Sequence, residues 1–125
     1  MPLIRLSATQ KLTQDQQDEL IKGLGEAISI FPGKEGRMLI VDMLDDKTMY
    51  LGGVKQENLV FADVQYFSNF EYHIKKDFTV AVFDAINKVL GTKKERMFLT
   101  ITERNTWGGF GDLNDEYYKD NKPEC

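Results

Sequence analysis

In 125 residues the chain has one cysteine, one histidine and three prolines. The cysteine is Cys125, so a disulfide framework and a cysteine-built metal site are both excluded. His73 stands alone, which removes histidine-cluster metal sites and leaves a serine–histidine–aspartate triad without a spare imidazole. There is no run of about 18 apolar residues to span a membrane. A signal peptide is not expected either, because Gln10 and Lys11 interrupt the start too early. The net charge of −4 supplies no broad basic face for nucleic acid. The glycine pairs at 52–53 and 108–109 lack the Gly-x-x-x-x-Gly-Lys-Ser/Thr pattern of a phosphate loop. The expectation is a cytoplasmic protein without membrane or nucleic-acid partners and without a cofactor. Any acid–base chemistry must come from something other than paired imidazoles.

What is present is enough for one globular domain over 1–125, since 42% of the residues are hydrophobic. Residues 2–7 read as a short strand. Thr13 followed by Gln16 has capping-box spacing, and Leu20, Leu24, Ala27, Ile28 and Phe31 recur on one helical face. Gly23 and Gly25 weaken that helix by roughly 1 kcal/mol each and suggest close packing on a sheet. Phe31-Pro32-Gly33 ends it. Met38 to Leu44 reads as a strand buried on both faces. A turn at 45–47, a short extended piece over 48–51 and Gly52-Gly53 follow.

The pattern then repeats. Leu59 to Phe67 is a strand. Ser68 with Glu71 again has capping-box spacing, and Phe70, Ile74, Phe78, Val82, Ile86 and Val89 form a second apolar face that Gly91 ends. Arg96 to Thr102 is the last strand of the unit, alternating Met97, Leu99 and Ile101 against Phe98, Thr100 and Thr102. The fold class is therefore α+β: two β-α-β units forming a four-stranded sheet with both helices on one face. The other face is bare, and self-association covers it most economically. Residues 104–125 read either as an arm reaching a neighbour or as a frayed end.

Pro2 follows Met1 directly. Initiator methionines are commonly removed before a small residue, and a freed Pro2 would carry a secondary amine, a base and a nucleophile on a rigid ring. Pro2 opening a strand, the doubled strand–helix–strand unit, Gly33-Lys34 before the second long strand, Met49-Tyr50-Leu51-Gly52-Gly53 and Asn105-Thr106-Trp107-Gly108-Gly109 form an ordered set. Together they resemble the tautomerase superfamily, in its longer members similar to macrophage migration inhibitory factor, over residues 2 to about 111.

The resemblance implies a homotrimer with a central barrel, active sites at subunit boundaries, and the processed proline as general base in keto–enol proton transfer. It also implies a small carboxylate substrate, such as phenylpyruvate. Counting back from Gly52-Gly53 puts Lys34 on the lysine that this group carries. The group's aromatic and polar residues on the last core strand fall near Phe98 and Thr100, where tyrosine and asparagine are expected instead. Tyr66 and Phe67, at the end of the third core strand, join Arg37, Phe98 and Trp107 as substrate-binding candidates.

Elementary electrostatics agrees with a proline base, because apolar walls and a nearby cation both disfavour a charged amine. Leu3, Phe98, Trp107 and Phe110 are candidate walls, and Lys34 or Arg37 the cation that also binds a substrate carboxylate and steadies enolate charge. Read without the resemblance, Lys34 is a solvated loop lysine, Phe98 a core aromatic, and Trp107 a pocket or interface residue. Arginines used by haloacid-hydrating relatives are missing from Tyr66-Phe67-Ser68-Asn69-Phe70. A superfamily hydratase or decarboxylase, and a non-enzymatic cytokine-like or scaffold trimer, stay open as alternatives.

Overall fold

The computed structural model describes residues 2–117. Four strands form the main sheet: β1 (Leu3–Ala8), β2 (Ile40–Leu44), β5 (Val60–Phe67) and β6 (Met97–Arg104), in the order β2-β1-β5-β6. β1 runs parallel to β2 and β5 parallel to β6, while β1 and β5 meet antiparallel. Each parallel pair is bridged by a helix, α1 (Gln14–Ile28) or α2 (Tyr72–Leu90), so the two β-α-β units lie side by side. Among the described residues there are also two hairpins: β3 (Tyr50–Leu51) with β4 (Val54–Lys55), and β7 (Thr106–Gly109) with β8 (Asp112–Asp115). Among the described residues no helix is long and apolar enough to cross a membrane.

Both helices cover one sheet face. Strand alternation puts Ile4, Leu6, Ala8, Val60, Ala62, Val64, Tyr66 and Met97 against Leu20, Leu24, Ile28, Phe31, Phe78, Val82 and Ile86 in one core. Thr13 caps α1 as its spacing predicts, its hydroxyl accepting from the Gln16 amide while the Gln16 side chain accepts from the Thr13 amide. The same spacing at Ser68 does not form a cap. Ser68 sits at φ 95, Glu71 is the N-cap, and its side chain makes no capping bond.

Three further expectations are corrected. Residues 36–38 form a 3₁₀ turn, and β2 begins only at Ile40. Among the described residues β2 is an edge strand, covered on one face rather than two, which leaves Ile40 half-exposed. The α1 glycines do not meet the sheet. A Cβ on Gly23 would stand 2.8 Å from the Ala85 Cβ of α2, and one on Gly36 would stand 2.9 Å from the Gly25 carbonyl oxygen. These contacts let the helices touch and let the 33–38 segment lie directly on α1.

The open face is more polar than the apolar pattern suggests. Its register brings Leu44, Ser7, Phe61 and Phe98 into one row and Asp42, Arg5, Asp63 and Thr100 into the next. Arg5 pairs with Asp42 at 3.0 Å. Residues 104–117 are not a frayed end, because β7–β8 folds back as a hairpin and the Glu116 amide donates to the Asn105 carbonyl. Residues 118–125, including Cys125, lie outside the described residues.

Candidate active site

The entrance to β1, the exit of β5 and the β7–β8 hairpin converge at one end of the sheet. Between them lies a cavity of about 410 Å³, lined among others by Pro2, Lys34, Arg37, Phe67, Trp107 and Phe110. Pro2 is held by its backbone, whose carbonyl accepts from the Ile40 amide at 2.9 Å. The ring is buried at the foot of β1.

Lys34 arrives from the end of α1. Phe31 is fully buried among Tyr66, Phe70 and Phe78, with ring centroids 4.7–4.8 Å away. It pins the chain there, Gly33 at φ 80 reverses it, and the Lys34 amide donates to the Phe31 carbonyl. The Lys34 ammonium then donates to the Phe67 carbonyl at 3.0 Å and stands over the Tyr66 and Phe70 rings, at 5.8 and 6.0 Å from their centroids. Among the described residues it has no acidic partner within salt-bridge distance. Burial lowers its pKa from the ordinary lysine value. Arg37, on the 3₁₀ turn, is exposed and pairs with Glu35, which also lines the cavity.

The hairpin supplies the far wall. Its two-residue turn, Phe110-Gly111, has φ 54 and 78, as a tight hairpin of the primed type requires. Glycine adopts that conformation readily; phenylalanine rarely does. Phe110 holds it at the cavity rim, and Trp107 and Asn114, cross-strand partners, lie below.

Three sequence candidates fall outside this lining. Tyr66 is fully buried, because alternation along β5 turns residue 66 to the helices and residue 67 to the other face. It lies behind the wall, as part of the platform under Lys34. Phe98 pairs with Phe61, six residues before Phe67 on β5 and so roughly 20 Å away along the strand. It does not wall the cavity of its own chain. Leu3 is part-buried and likewise outside the lining.

Sequence reasoning missed Asn114 and, behind the wall, Glu103. The Glu103 carboxylate accepts from the Tyr66 hydroxyl at 2.9 Å and the Phe70 amide at 2.8 Å, and from the Lys75 ammonium at 3.2 Å. Burial alone would raise its pKa; the Phe70, Tyr66 and Lys75 donors outweigh that and hold it below the ordinary glutamate value. Burial first, then the bond to Glu103 and its charge, push the Tyr66 hydroxyl well above the usual tyrosine range. A signal was available, since Glu103 continues the core-facing series Met97, Leu99, Ile101. A carboxylate at a core position needs partners.

No family model matches the chain, and no curated protein matches it in sequence. Solved structures do match its fold. Macrophage migration inhibitory factor MIF2 of Leishmania major superposes with a TM-score of 0.82 at 18% identity, covering 90% of this chain and 97% of its own. Pt0534, inactivated by 2-oxo-3-pentynoate, gives 0.79 at 12% identity, covering 87% and 93%. A fused wild-type 4-OT symmetric trimer gives 0.73 at 14% identity, covering 82% and 85%. The chain shares the fold of these migration-inhibitory-factor and tautomerase structures.

Proposed function

We propose that the protein is a cofactor-independent tautomerase of small 2-keto acids such as phenylpyruvate, working as a homotrimer with the processed Pro2 as general base. The observation that supports this most is the convergence of Pro2, Lys34, Arg37 and Trp107 on one cavity. Removal of Met1 turns the Pro2 nitrogen from an amide into a secondary amine. Buried surroundings and the Lys34 and Arg37 charges favour its neutral, basic form. The substrate carboxylate binds the Lys34 ammonium, which has no acidic partner within salt-bridge distance among the described residues, while Trp107 and Phe110 flank the aryl group. The amine takes a proton from C3 of the keto acid, charge moves to the C2 oxygen beside the cations, and protonation of that oxygen gives the enol.

The trimer reading rests on the open sheet face and on the symmetric trimer among the structures of this fold. It gives Phe98 a place, since a residue far from its own cavity can serve a neighbour's at a subunit boundary. A cytoplasmic location belongs to the same reading. The test is phenylpyruvate tautomerisation by wild-type protein and by Pro2→Ala, with the assembly state checked by sedimentation. Wild-type turnover that falls at least a hundredfold in an intact Pro2→Ala assembly supports the proposal. Full activity in Pro2→Ala refutes it.

A further inference from the structure

The 67–70 turn beside the cavity is strained and clamped. Ser68, a non-glycine residue, is held at φ 95, a conformation that persists only where its surroundings over-determine it. Two bonds tie this turn to β6: the Ser68 amide donates to the Arg104 carbonyl at 3.1 Å, and the Phe70 amide donates to the Glu103 carboxylate. The same carboxylate holds the hydroxyl of the fully buried Tyr66. The turn and the ring that Glu103 fixes carry every group the Lys34 ammonium rests on: the Phe67 carbonyl and the Tyr66 and Phe70 rings. The charged neighbours on each side are few. Lys75 of α2 pairs with Glu103 at 3.2 Å, and Glu35 and Arg37 pair with each other at the rim.

We infer that Glu103 is a positioning residue for Lys34: through Tyr66 and the 67–70 turn it fixes the carbonyl and the aromatic platform that seat the ammonium in the cavity. Glu103 itself touches no cavity space, and its side chain is only 18% exposed. The arrangement solves a physical problem. A desolvated ammonium without a counter-ion is poorly held unless its neutral acceptors are rigid. A carboxylate one layer back supplies that rigidity without neutralising the charge offered to a ligand. The functional meaning of this seat rests on the tautomerase reading; the seating itself does not.

The deciding experiment follows the lysine directly. Full-length protein is reductively methylated at fixed pH, and the rate at Lys34 is read by peptide mass spectrometry relative to the exposed Lys11. Glu103→Gln removes the charge, and Tyr66→Phe removes one link while keeping the ring stack. Asn58→Ala is the control for general loosening, since it breaks the buried bond from the Thr92 hydroxyl at the other end of β5. Either of the first two variants should raise Lys34 labelling about fivefold, the equivalent of one net hydrogen bond. The Asn58→Ala control should leave it unchanged. If Glu103→Gln does not fold, Tyr66→Phe decides. Unchanged Lys34 labelling in every folded variant overturns the inference, as does an equal rise in Asn58→Ala. Because the readout needs no turnover, a protein inactive on keto acids refutes the tautomerase proposal without touching this one.

Discussion

Replacing Lys34 by methionine should separate binding from stability. The wild-type ammonium gains a charge-assisted bond to the Phe67 carbonyl at 3.0 Å and weak attraction from two rings near 6 Å. Those gains come to about 2–3 kcal/mol. Against them stands desolvation of the cation by burial, the cause of its lowered pKa. Methionine keeps the apolar stem and removes both sides of that balance, so the unfolding free energy should change by no more than about 1 kcal/mol. Ligand affinity has no such compensation. A carboxylate bonded to the ammonium loses about 1.5–3 kcal/mol, or roughly 10- to 150-fold in Kd.

The assay is built into the chain, because its only tryptophan, Trp107, lines the cavity. Titration with 3-phenylpropionate, followed by tryptophan fluorescence, should show that loss in Lys34→Met, while the uncharged amide analogue should bind both proteins alike. For pH the sign follows from the direction of the shift. A lysine with a lowered folded pKa loses its charge earlier on the alkaline side than a free lysine, so carboxylate affinity declines as pH rises through that value. The same neutralisation removes a burial cost, and the fold gains stability there. Carboxylate affinity within threefold of wild type in Lys34→Met, or an equal loss for the amide, would refute the reasoning.

Two further outcomes test the scaffold. Tyr66→Phe should cost about 1.5–3 kcal/mol at neutral pH, the worth of a hydrogen bond to a charged acceptor. Glu103 has a lowered folded pKa, so the stability it contributes is present above the ordinary glutamate value near 4.3 and is lost as pH falls through the folded one. The Tyr66→Phe penalty in urea unfolding should therefore shrink as pH falls through the lowered Glu103 value; an equal penalty at pH 7 and in acid would contradict the link. Gly23→Ala gains near 1 kcal/mol of helix propensity but meets Ala85 at 2.8 Å, where overpacking costs about 1–3 kcal/mol. It should be net destabilising, and adding Ala85→Gly should relieve the clash.

Much of this architecture was legible because it follows from periodicity. The helix faces ending at Phe31 and at Val89 needed only three- and four-residue spacing, and the capping box at Thr13 formed as written. The identical spacing at Ser68 misled because position 68 is taken up by a long-range demand: Glu103 and Arg104 capture the turn, and the helix starts beyond it. At the site, Pro2 and Lys34 were singled out through an ordered resemblance, Arg37 as a nearby cation and Trp107 as an aromatic in a glycine-rich segment, and all four line one cavity. Tyr66 and Phe98 fall outside their own chain's cavity for a simple reason. One residue of strand alternation sends Tyr66 into the core, and the β5–β6 register sets Phe98 opposite Phe61. The meeting of Glu103 with Tyr66 across 37 residues depends on that register too, and no local pattern encodes it.

Intact-mass spectrometry of natively expressed, active protein tests the central claim most directly. The account predicts a chain lacking Met1 that interconverts phenylpyruvate with its enol. Protein that retains Met1 and still interconverts phenylpyruvate with its enol would contradict it.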